Sequence, residues 1–146
     1  IKHFASSPYL NELRSLNLSA VGVTQTGIKI LGESEVFSNL ENLNLSWNAL
    51  GNRGAIVLSQ VPGLENLVEL DLRECDIEEK GLSTLFKSEF MERIEVLRIG
   101  GNELNLDVLG IIAKSPRVKN LRELRFELDH FTKSELKILT NSPNLK

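Results

Sequence analysis

Slide the pattern L-x-x-L-x-L-x-x-N-x-L along this chain and its first position falls on Leu13, Leu40, Leu67, Ile94 and Leu121, each step 27 residues, with no insertion. A fixed period of this kind constrains the fold more than any local propensity, because equal units must find equivalent surroundings. The fourth position reads Leu16, Leu43, Leu70, Leu97 and Leu124. The sixth reads Leu18, Leu45, Leu72, Ile99 and Phe126, and the last Val23, Leu50, Ile77, Leu104 and Phe131. All of these are apolar. The prolines, which the pattern never uses, give an independent check: Pro8, Pro62, Pro116 and Pro143 share one phase of the same period.

The two halves of each unit carry different periodicities. Leu43-Asn44-Leu45 alternates apolar and polar, the signature of a strand with one buried face. Leu50, Gly54 and Leu58, and again Ile77, Gly81 and Leu85, are spaced by four, which places them on one face of a helix. Helix starts are expected at Thr24, Asn52, Asn105 and Thr132, the last with Glu135 completing a capping box. Prolines then end the helices, since the residue before each is pushed out of helical geometry. Each unit is therefore a strand, a turn and a returning helix.

Such a unit cannot hide its own leucines. Laid side by side, the strands pair into one parallel sheet and the helices form a second layer, with the leucine rows sealed between them. Helices are wider than the roughly 4.8 Å spacing of strands, so the stack bends with its sheet inside. The expected fold is an α/β solenoid, a right-handed horseshoe arc with a parallel sheet on the concave side and helices on the convex side.

These repeated residues resemble the leucine-rich repeat family, closest to its ribonuclease-inhibitor-like class. Units such as LSWNALGNRGAIVLSQVPGLENL also resemble tandem repeats of large bacterial proteins. The resemblance implies a single domain over 1–146, with repeats at 13–39, 40–66, 67–93, 94–120 and 121–146, and 1–12 as the tail of a preceding repeat. That tail and the stop at Lys146 lead us to expect a fragment of a longer chain. The family's asparagine column here is Val21, Asn48, Cys75, Asn102 and Asp129. The resemblance implies that asparagine and cysteine there bond neighbouring backbone, which Val21 cannot do, so the first full repeat is expected to be less regular.

Chemistry finds little purchase. His3 and His130 are the only histidines and are about four and a half repeats apart, which argues against a metal pair or a catalytic triad. The lone Cys75 falls in the turn column as a structural thiol, and a single cysteine fits a reducing, cytoplasmic or intracellular setting. Gly100-Gly101 lacks a following phosphate-binding motif and reads as a strand-end turn. With Lys+Arg 17 against Asp+Glu 20, the net charge of −3 argues against nucleic acid, and the apolar runs are too short to cross a membrane. We expect no enzyme activity, no metal, no cofactor and no small-molecule ligand.

Binding remains. Residues between the inward leucines face the open side of the sheet, where one column runs Asn17, Asn44, Asp71, Arg98 and Arg125. Neighbours in a column lie one strand apart, so Asp71 and Arg98 are expected to pair. Trp47 stands in the next column out, beside Ala20, and either packs over its own turn or anchors a partner. The expected binding face comprises Trp47, Asn44, Asp71, Arg73, Arg98 and Arg125, offered to a protein partner. The expected function is a non-catalytic interaction scaffold. The alternative is a regulatory or sensor module of a larger enzyme or signalling protein, GTPase-activating or substrate-recruiting, as some relatives in the family are.

Overall fold

A computed structural model describes residues 1–7, 9–127 and 131–145; Pro8, Leu128, Asp129, His130 and Lys146 lie outside the described residues. Five strands, β1 (Ser15–Asn17), β2 (Asn42–Asn44), β3 (Glu69–Asp71), β4 (Val96–Arg98) and β5 (Glu123–Arg125), form one sheet in sequence order. Every pairing is parallel, and Leu16, Leu43, Leu70, Leu97 and Leu124 are direct neighbours along the sheet. The register therefore advances by one repeat per strand. Helices α1 (Lys2–Ala5), α2 (Gln25–Glu33), α3 (Gly51–Leu58), α4 (Glu79–Lys87), α5 (Leu106–Lys114) and α6 (Lys133–Thr140) make the second layer, each packed on the next.

The leucine columns form one continuous core. Leu40, Leu45, Leu67, Leu70, Leu72, Ile94, Leu97 and Ile99 are fully buried, sealed by Ile28, Leu31, Leu58, Leu82, Leu85, Leu109 and Ile112 from the helices. Truncating one of them, Leu70 to alanine for instance, costs about 2–5 kcal/mol in lost transfer energy and cavity formation. Adjacent rungs share that cost, because each leucine touches the units on both sides.

Two of the expected helix starts behave as the sequence suggests. Asn105 accepts the Val108 N–H at 3.0 Å, and Thr132 and Glu135 exchange side-chain-to-backbone bonds in a capping box. Thr24 stands at the N-cap of α2, but its hydroxyl makes no capping bond. Asn52 corrects the reading. It lies inside α3, and its Oδ1 accepts the N–H groups of Glu78 (3.1 Å) and Gly81 (2.8 Å), so it caps the start of the next unit's helix. A capping signal read along the chain assumes that the cap precedes its own helix. In a stack, the neighbour's first turn lies alongside instead.

Helix ends are set by more than proline. Glu33 and Lys87 end α2 and α4 with no proline following, and serine recurs at the position after the helix. Ser34, Ser115 and Ser142 donate to the carbonyls of Ala5 (2.9 Å), Phe86 (2.6 Å) and Ala113 (2.6 Å) in the preceding unit. The same oxygens accept an N–H two residues on, from Val36, Arg117 and Asn144, which turns the chain into the descending segment. There a second amide column continues the fastening. Asn39, Asn66 and Asn120 donate to carbonyls of Asn11 (2.8 Å), Ser38 (2.8 Å) and Glu92 (2.6 Å), while Arg93 reaches the carbonyl of Leu64 (3.2 Å).

Candidate functional site

The turn that follows each strand is built by the asparagine column. Asn48, buried, accepts the Val23 N–H at 2.8 Å and donates to the carbonyls of Leu18 (2.9 Å) and Leu45 (2.7 Å). Asn102 does the same two units on, accepting from Cys75 (3.2 Å) and Ile77 (3.0 Å) and donating to Leu72 (2.7 Å). Cys75 donates its thiol to Leu45 at 3.2 Å, and burial pushes that thiol up to about 11 from its ordinary 9.0. Val21 is 63% exposed, yet the turn it tops is held from the other side by Asn48, and β1 pairs in full register. Asp129 lies outside the described residues.

One position before Val21, Asn48, Cys75 and Asn102, the backbone is left-handed. Ala20, Trp47, Glu74 and Gly101 have φ of 55°, 59°, 52° and 70°. Only glycine adopts that conformation freely, and each other residue there costs roughly 1–2 kcal/mol. Trp47 is the largest side chain in the column and remains 62% exposed, on the rim of the sheet face. Its N–H donates to the Arg73 carbonyl at 2.8 Å, which fixes the backbone beneath the ring.

The column across the strands divides by chemistry. Asn17 and Asn44 accept the backbone N–H two residues on, at Ser19 (2.9 Å) and Ser46 (2.9 Å), and Asp71 accepts that of Arg73 (3.1 Å). Asn44 and Asp71 therefore close their own turns; Asn44 is half-buried, and Asp71, expected on the open face, is buried beneath Arg73. Arg98 and Arg125 cannot accept a hydrogen bond, and in their neighbourhood the fold uses another device. Glu127 lays its carboxylate over Gly100, where a Cβ would stand, and accepts the Gly101 N–H at 2.7 Å; the Glu74 carboxylate covers Gly101. Gly100-Gly101 is thus a seat for two acidic side chains, which the sequence read simply as a turn.

The expected Asp71–Arg98 pair does not form. Asp71 is taken by Arg73 from its own strand end, with Nε at 3.0 Å and a terminal nitrogen at 2.6 Å. That hydrogen bond, with the charges of Asp71 and then Glu127, raises the Arg73 guanidinium above its ordinary value. Arg98 lies between Glu69 (3.6 Å) and Glu123 (3.8 Å). Arg125 meets Glu123 at 2.5 Å, as a charge contact rather than a directed hydrogen bond. The physical reason is reach: a guanidinium two residues along the same face closes on Asp71 before one a strand away does. The result is an alternating strip, Glu69, Arg98, Glu123 and Arg125, partly exposed and weakly bound.

Trp47 and Arg125 stand three strand spacings apart, about 14 Å, with Arg73 and Arg98 on the rungs between them and Asn44 on the strand that leads to Trp47. The N-terminal half of the face is neutral amide and hydroxyl, and a shallow depression of about 230 Å³ runs across it from Ser15 to Arg98. Among the described residues no group of three His, Cys, Asp or Glu side chains is placed to hold a metal ion, and no helix is long and apolar enough to cross a membrane.

A leucine-rich repeat family model matches residues 38–59 and 63–86, the second and third rungs. No curated protein matches the sequence. Among solved structures, the tropomodulin C-terminal domain of Caenorhabditis elegans is 15% identical with a TM-score of 0.69, covering 90% of this chain and 83% of that one. A leiomodin-1 structure described as actin-binding site 2 is also 15% identical, with a TM-score of 0.70, covering 90% of this chain and 79% of that one. At that identity the likeness is one of fold.

Proposed function

We propose that this chain, a leucine-rich repeat protein, is a non-catalytic scaffold that captures a protein partner on the sheet face, with Trp47 as anchor and Arg98 and Arg125 meeting the partner's carboxylates. One observation carries the reading: a single tryptophan, held at energetic cost in a left-handed turn, keeps its ring in solvent beside Ala20 instead of under its own repeat. Large aromatic side chains and arginines dominate the energetics of protein interfaces, and here they share one face. The ion pairs of the strip are exposed enough to exchange Glu69 and Glu123 for a partner's acids at little cost.

Fold likeness carries no partner with it. Actin, named for the leiomodin-1 structure, is the first protein to assay. The test is capture by the immobilised chain. Wild type retains a partner, and Trp47→Ala and Arg98→Gln each lose it while unfolding like wild type. Undiminished capture by both variants removes the sheet face from consideration.

A further inference from the structure

On the opposite side of the molecule, α5 departs from the repeat in two adjacent places. Residue 106 occupies the helix position held elsewhere by Gln25, Asn52, Glu79 and Lys133, yet it is leucine and 44% exposed. One turn on, Gly110 occupies a mid-helix position where the other units carry Lys29, Ile56, Ser83 and Lys137, and apart from its chain neighbours and its own helix backbone no atom lies within 4 Å of where its Cβ would be. Packing therefore does not require the glycine, and helix propensity opposes it. Together with Ile111, and with Ile138 of α6 at 39% exposure, these residues line a groove of about 840 Å³.

The groove is polar at its ends and apolar between. Lys87 and Lys114, the last residues of α4 and α5, stand at one end, and Asp107 at the other. Among the described residues neither lysine is in an ion pair, whereas Arg117 beside them is held by Glu92 and Glu89. The walls are helices, whose backbone groups are already bonded, so no sheet edge exists for an added strand. What fits is a side-chain stripe. The length of α5, residues 106–114, is about 13 Å at helical rise, two to three turns.

We infer that this groove docks an amphipathic helix of a partner protein, whose apolar stripe drops over Gly110 between Leu106 and Ile138 and whose first turn carries carboxylates onto Lys87 and Lys114. Acidic residues suit a helix N-terminus, so the docked helix runs antiparallel to α5. The site is independent of the sheet face and does not rest on Trp47.

The test uses the full chain, isotope-labelled, titrated with a synthetic helical peptide bearing leucines at i, i+3, i+4 and i+7 and glutamates in its first turn. The companion peptide carries lysines in place of the glutamates. Amide shifts at Gly110, Ile111 and Ile138 with the acidic peptide, and binding weaker by at least about tenfold with the basic one, are expected. Gly110→Leu, which fills the notch, and the pair Lys87→Glu with Lys114→Glu, which leaves the notch open, each weaken the acidic peptide by at least about tenfold. Three results overturn the inference: equal binding of the two peptides, shifts centred on Asn44 and Arg98, or peptide-independent shifts at Gly110 that grow with protein concentration and so mark a second copy as occupant.

Discussion

Asn48 accepts the backbone N–H of Val23 at 2.8 Å across 25 residues of chain, and the same amide donates to Leu18 and Leu45. One buried side chain thus satisfies three backbone groups in two rungs. Asn48→Ala strands them together, and each unsatisfied group costs about 1–3 kcal/mol, so a loss of about 3–5 kcal/mol is expected in urea unfolding. Val21→Asn, at the exposed member of the same column, stays within about 0.5 kcal/mol of wild type.

Cys75 gives a pH signature. Its folded-state value, pushed up to about 11 by burial, lies above the unfolded 9.0, so between these the folded state holds a proton that the unfolded state has released. Its contribution is fully present below pH 9.0 and is lost as pH rises toward 11. Unfolding free energy measured against pH falls more steeply over that window in wild type than in Cys75→Ala. The native thiol also resists alkylation until denaturant opens the turn.

Two glycines are expected to respond to alanine in opposite directions. Gly110→Ala meets nothing within 4 Å apart from its chain neighbours and its own helix backbone and removes a mid-helix glycine, so it raises stability by about 0.5–1 kcal/mol. Gly63→Ala drives its Cβ into the Gly32 carbonyl, which also accepts the Gly63 N–H at 2.8 Å, and costs more than about 1 kcal/mol. Thermal unfolding of the two variants orders them on either side of wild type.

The charged strip contributes little to the fold. Arg98 makes only long contacts with Glu69 and Glu123, so Arg98→Gln, which removes the charge without setting a third carboxylate beside them, loses under about 1 kcal/mol by chemical denaturation. That variant therefore separates binding from folding.

Much of this was legible in the sequence. The period fixed the strand columns, and Leu16, Leu43, Leu70, Leu97 and Leu124 meet as neighbours at the expected step. What escaped was contact between units, because one-dimensional patterns carry no lateral neighbours. Asn52 reads as the cap of its own helix and serves the next one. Asp71 reads as a partner for Arg98 and is claimed by Arg73 within its own strand end. The serine column of Ser34, Ser115 and Ser142 was visible as a recurrence, but its meaning depends on which carbonyl of the preceding unit it reaches. The rim's left-handed backbone was signalled only by Gly101, since Ala20, Trp47 and Glu74 give no such hint.

Trp47, the chain's one tryptophan, reports on the proposed interface directly. At 62% exposure its emission in the free protein is that of a solvated indole, open to acrylamide. Trp47→Gly removes both ring and backbone strain, and so retains full stability without capturing the partner. The decisive measurement is Trp47 emission and acrylamide quenching on addition of the captured partner. The account predicts a blue shift and protection from quenching; a stably bound partner that leaves the indole as exposed as in the free chain contradicts it.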